Sequence, residues 1–200
     1  MASLNINGKA YAMNAITPIK PWKTRLLKLL FFVFGIWKAR QADLTNLSFI
    51  HFARWVIVNR GQFPWLGGEQ RREHLHYDYM IFFSNFNGTW NQYIDAFSSV
   101  LSTGLNYIWG GTEKFPGSVP VTAFKRHIAL VQFDTDYYFN AYPYAATNDV
   151  KAAHRVQAAL EAFSAASKNR TSEEFERAYL EFLLQVQGDL GSLGPAPEGT

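Results

Sequence analysis

The sequence predicts an α+β protein: an antiparallel sheet with helices packed on one face, joined to an apolar, basic N-terminal helix. Three observations predict this. The runs LSFIHFARWVIV (47–58) and YDYMIFFSNF (77–86) are crowded with β-branched and aromatic residues, the composition of strands buried on both faces. Asn87-Gly88 then turns the chain into Thr89 and Gln92, the spacing of a capping box. Finally, WKTRLLKLLFFVFGIWKARQ (22–41) places an apolar middle between cationic ends.

Two hundred residues, 48% of them hydrophobic, suffice for one core, and the absence of cysteine excludes disulfides, thiolate nucleophiles and Cys-ligated metals. The net charge of +3 is unevenly spread: seven basic residues precede position 43 against the single acid Asp43, and the remainder is net −3. Basicity confined to one segment argues against a nucleic-acid-binding face on the folded body. The expected division is a basic arm and apolar helix over 1–46, an α+β domain over 47–187 and a disordered tail over 188–200.

Residues 1–21, punctuated by Pro18 and Pro21, read as an extended arm. In the helix that follows, apolar residues from Leu26 to Trp37 cover nearly the whole circumference, leaving Thr24, Lys28 and Gly35 as a narrow polar strip. Trp22, Lys23, Arg25 and Lys28 at one end, and Trp37, Lys38 and Arg40 at the other, are the residues of interfacial anchoring. The apolar core is too short to span a bilayer. Three readings stay open: a helix in the membrane interface, a helix docked on this core or on a second subunit, and a signal or anchor sequence.

Residues 59–76 form a loop longer than hairpins need and read as a candidate lid. A helix from Thr89 carries Trp90, Tyr93, Ile94, Phe97, Val100 and Leu101 on one face and stops at Gly104. Residues 105–120 read as loop, 121–132 as a second helix with a strand as its rival, and FDTDYYFNAY (133–142) as a third strand. A long helix capped by Thr147 or Asn148 follows, then a second capping box at Thr171–Glu174 and an apolar stripe through Phe175, Ala178, Tyr179, Phe182, Leu183 and Val186.

The strings SNFNGTWNQYIDAF, FKRHI and YYFNAYP resemble an uncharacterised bacterial family over most of residues 11–165. More distantly, aromatic-rich strands followed by an amphipathic helix are similar to the ferredoxin-like dimeric α/β-barrel superfamily, which includes haem peroxidases, chlorite dismutases and cofactor-free monooxygenases. That resemblance implies a ferredoxin-like sheet, a homodimer and an oxidoreductase or haem-binding activity. The G-x-x-D-G motif of dye-decolourising peroxidases does not occur here.

No nucleophile elbow, phosphate loop, dinucleotide fingerprint or zincin motif occurs. His51 is a candidate acid/base or axial ligand and Arg54 a candidate anion clamp, set against a hydrogen-bonded core histidine and an arginine paired with Asp78, Asp134 or Asp136. On a regular strand the two face opposite ways and share a site only across a bulge. His74, His76 and Asp78, at i, i+2 and i+4, are candidate metal ligands if the strand starts early enough. Lys125, Arg126 and His127 form a short cationic cluster, and Trp55, Tyr77, Tyr79, Tyr137 and Tyr138 are candidates to line an aromatic pocket. The sequence thus suggests a cytoplasmic, membrane-associated protein that binds an apolar small molecule and no nucleic acid. The alternatives are a non-catalytic homo-oligomer or scaffold, and a haem protein; the sequence names no cofactor.

Overall fold

Strand β2 (Ala10–Ile19) forms because AYAMNAITPI alternates: Tyr11, Met13, Ala15 and Ile19 enter the core while Asn14, Ile16 and Pro18 face the other way. The computed structural model describes residues 4–36 and 47–191. Short β1 (Ile6–Asn7) turns into β2, helix α1 spans Pro21–Ile36, and β3 (Ile50–Val58) and β4 (Asp78–Asn87) flank the long loop. Then come α2 (Trp90–Val100), α3 (Ser102–Trp109), α4 (Val121–Val131), a two-residue β5 (Gln132–Phe133), α5 (Thr147–Ala166) and α6 (Ser172–Val186). The sheet runs β1-β2-β4-β3, β5 also pairs β2, and every pairing is antiparallel.

The stretch 10–21 is therefore no arm. β2 pairs β4 over its whole length, from Ala10↔Asn87 to Ile19↔Asp78, and is a central strand. Its small residues hid this: Ala10, Ala12 and Ala15 carry little β signal, yet they let other segments lie close against the sheet. On the core face, β4 contributes Met80, Phe82 and Phe86 to a cluster with Tyr93, Ile94 and Phe97 of α2, Leu105, Ile108 and Trp109 of α3, and Phe124 and Ile128 of α4. Helix α2 starts where its capping box predicts, the Thr89 hydroxyl accepting from Gln92 N.

The other face is half covered. Residues 134–146 cross it: Asn5 Nδ2 donates to Asp134 (2.7 Å), Asn7 Nδ2 to the Tyr138 carbonyl (2.8 Å), and Lys9 N to the Pro143 carbonyl (2.7 Å). Ala10 and Ala12 are buried on this side, whereas Ile16, Phe52 and Val56 stay exposed. The strands are thus not buried on both faces. The expected third strand over 133–142 shrinks to Gln132–Phe133, because its asparagine and aspartate partners hold the chain across the sheet rather than along it. Residues 102–109, expected to start as the last turn of one helix and continue as loop, make a separate helix after a break at Leu101.

Helices α5 and α6 form a hairpin whose seam packs Phe163 against Phe175, Tyr179 and Phe182. It joins the sheet through Asn87 Oδ1, which accepts from Thr147 N and Oγ1, and through Lys9–Asp149 at 2.8 Å. The second capping box, Thr171 with Glu174, is formed as its spacing predicts.

Candidate functional site

Helix α1 lies against the core on one side only. Leu27 is buried, Leu30, Phe31 and Phe34 pack partly against the cluster, and Phe31 meets Trp55 at 6.1 Å. The anchor is polar: buried Thr24 donates its hydroxyl to Asp78 Oδ2, and the other oxygen of that carboxylate accepts from Arg60 N at 2.8 Å. One carboxylate at the start of β4 therefore ties down both the first turn of α1 and the start of the 59–77 loop.

The opposite side of α1 is apolar and open to solvent. Trp22 (70% exposed), Leu26 (66%), Leu29 (57%), Phe32 (66%) and Val33 (40%) follow the spacing i, i+4, i+7 and i+11, with Phe32 beside the last. Arg25 and Lys28 flank this row, exposed and with no ion pair among the described residues. Lys23 is spent locally, its ammonium reaching the Gly110 carbonyl at 3.2 Å. Lys20 lies 3.6 Å from Glu113. A cation near a helix N-terminus gains nothing from the helix dipole, so Arg25 is not there to stabilise α1. The polar strip read from the sequence is split: Thr24 points in and Lys28 points out. An almost wholly apolar circumference could not say which side would be covered. Trp37, Lys38 and Arg40 lie outside the described residues.

A bulge between Ile50 and Phe52 changes the relation of His51 to Arg54. Ile50, Ala53, Trp55 and Ile57 pack on the core, whereas His51, Phe52 and Arg54 are all exposed. Partial burial lowers the His51 pKa and its hydrogen bond to Asn87 partly opposes this. Arg54 stacks 4.7 Å over the Phe83 ring and pairs with none of the three aspartates considered. Neither residue lines the cleft described below.

The metal trio is not assembled. β4 starts at Asp78, so His74 and His76 remain in the loop, exposed, while the Asp78 carboxylate is committed to Thr24 and Arg60. Among the described residues no cluster of three histidine or acidic side chains could hold an ion. Nor do the five aromatic candidates share a pocket. Trp55 packs on Phe82 at 5.1 Å on the helix side, and Tyr79 lies on the other face. Tyr138 accepts from Asn85 above that face, and Tyr77 and Tyr137 are exposed. One concavity is an open cleft of about 460 Å³, lined by residues including Tyr142, Tyr144 and the paired Lys9 and Asp149.

The cationic cluster on α4 is also dispersed: Lys125 pairs with Asp95 at 2.8 Å, and His127 turns inward against Phe115, its Nε2 buried without a partner. Desolvation lowers the His127 pKa. A depressed folded-state pKa means the unfolded chain binds the extra proton first. This contribution to stability is therefore complete above about pH 6.5 and is lost as pH falls through the folded-state value. Urea midpoints measured at neutral and mildly acidic pH should fall with acidification, and less so in His127→Leu. Equal slopes in both proteins would refute the assignment.

Sequence reasoning also passed over Phe63, Trp65 and Leu66, exposed in the 59–77 loop. Their signal was three large apolar residues within an otherwise polar, Gly-rich connection. No helix among the described residues is long and apolar enough to cross a membrane. No family model, no curated protein and no solved structure matches this chain, so the role of the surface rests on its chemistry.

Proposed function

We propose that this is a peripheral membrane-associated protein whose helix α1 lies in the bilayer interface, outward row down. The observation that carries this is the row itself: Trp22, Leu26, Leu29, Phe32 and Val33 exposed on a helix whose other side is docked, with Arg25 and Lys28 at its margin. Complete burial of such a side chain is worth roughly 1.5–3 kcal/mol, so partial immersion of five dominates the energetics. Each cation adds about 1 kcal/mol near an anionic surface and selects for one.

Co-sedimentation with phosphatidylserine-containing and pure phosphatidylcholine vesicles tests it. Arg25→Glu with Lys28→Glu should weaken binding to the anionic vesicles by at least about tenfold, since two cations become anions. Leu26→Asp with Leu29→Asp should abolish binding to both. All four positions are exposed, so the variants keep the native far-UV spectrum. Vesicle binding unchanged by either pair rejects the proposal.

A ferredoxin-like assignment is supported by the order β5-β2-β4-β3 with all neighbours antiparallel, and by helices linking β2 to β3 and β4 to β5. The exposed Ile16, Phe52 and Val56 on the uncovered part of the sheet support a second reading, face-to-face pairing of two copies. Light scattering of the same variants separates the two, because a sheet-borne dimer is indifferent to changes on α1.

A further inference from the structure

The loop between β3 and β4 is built to present an apolar tip. Phe63 (45% exposed), Trp65 (46%) and Leu66 (93%) precede Gly67 and Gly68, whose φ values of +86° and +62° reverse the chain immediately after Leu66. Gln70 closes the tip from within: its Oε1 accepts from Leu66 N at 2.7 Å, its Nε2 donates to the Pro64 carbonyl at 3.4 Å, and its own carbonyl accepts from Trp65 Nε1 at 2.9 Å. Pro64 has no N–H to satisfy. A tip with three of its polar groups matched internally leaves water at a lower cost than a loop with none matched.

We infer that residues 63–66 are a second membrane-inserting element, taking a lipid surface as partner beside α1; this rests on the peripheral-membrane reading above. Two further observations select lipid. The Arg72 guanidinium lies 4.4 Å over the Trp65 ring, and Arg60 and Arg71 of the same loop are also exposed, so the loop offers an indole and cations of the kind that meet headgroups, against Glu69 and Glu73. Asp78 ties Arg60 N and Thr24 together, so the loop departs from the same end of the sheet as the first turn of α1 and its Trp22. The tip and the helix are two contacts of one attachment.

The chain has no cysteine, so Leu66→Cys can carry a single environment-sensitive fluorophore, with Glu161→Cys on exposed α5 as reference. On phosphatidylserine-containing vesicles the probe at 66 should shift to the blue and be quenched by spin-labelled lipid, while the probe at 161 does neither. Leu66→Asp in the unlabelled chain should lower vesicle affinity about tenfold. Vesicle binding that still depends on Arg25 and Lys28, with a water-like probe at 66 and an unchanged Leu66→Asp, overturns the insertion of this loop and leaves the α1 reading standing. Absence of vesicle binding by the unsubstituted chain overturns both.

Discussion

Phe86→Ala is expected to cost the fold about 3–5 kcal/mol. Its side chain is fully buried in β4, stacked 5.0 Å from Tyr11 across the strand pair and 3.9 Å from Tyr93 of α2. Truncation removes both ring contacts and leaves a void bounded by a central strand and a capped helix, neither of which can collapse onto the other. For a chain of this size the loss corresponds to a fall in melting temperature on the order of 10 °C. Urea unfolding with an unchanged slope and a midpoint shifted by this amount checks it. A loss under about 1 kcal/mol would mean that the Tyr11–Phe86–Tyr93 stack does not bind sheet to helix.

Gly8→Ala should be the costliest change outside the core, at about 3 kcal/mol. Gly8 adopts φ +62° between β1 and β2, a conformation that disfavours any Cβ, and a Cβ there would sit 1.9 Å from the Pro143 carbonyl oxygen. That carbonyl also accepts from Lys9 N at 2.7 Å, so relieving the clash breaks a hydrogen bond and lifts the segment that covers Ala10 and Ala12. Gly61→Ala, with nothing within 4 Å of its added carbon, is the control and should change stability by less than about 0.5 kcal/mol. Equal effects of the two substitutions would exclude the close approach of Pro143.

Features set by near neighbours in sequence were legible. Thr89 with Gln92, and Thr171 with Glu174, act within four residues, and both helices start where those pairs predict. The aromatic runs around Trp55 and Phe82 announced strands because packing there rewards bulk. What depended on distant partners was not legible. β2 is a strand because β4 pairs it, and its alanines are informative only once residues 134–146 lie over them. Conversely, Tyr137, Phe139 and Tyr142 looked like strand residues, but they are exposed while asparagines hold their backbone across the sheet. The candidate site divides the same way. The composition of α1 was plain, but its outward row became identifiable only through Thr24, whose partner Asp78 is remote in sequence and reads there equally as a candidate metal ligand or a partner for Arg54.

The central position of β2 bears on how attachment can be studied. Helix α1, with its exposed apolar row, emerges from the strand that separates β4 from β1 and β5, and Ala10 pairs with Asn87. A shortened gene product lacking that opening segment would be a sheet missing its middle slat, and whatever it failed to bind would report on misfolding. The outward row and the scaffold are one piece of architecture, and only surface edits that spare the backbone can separate what each does.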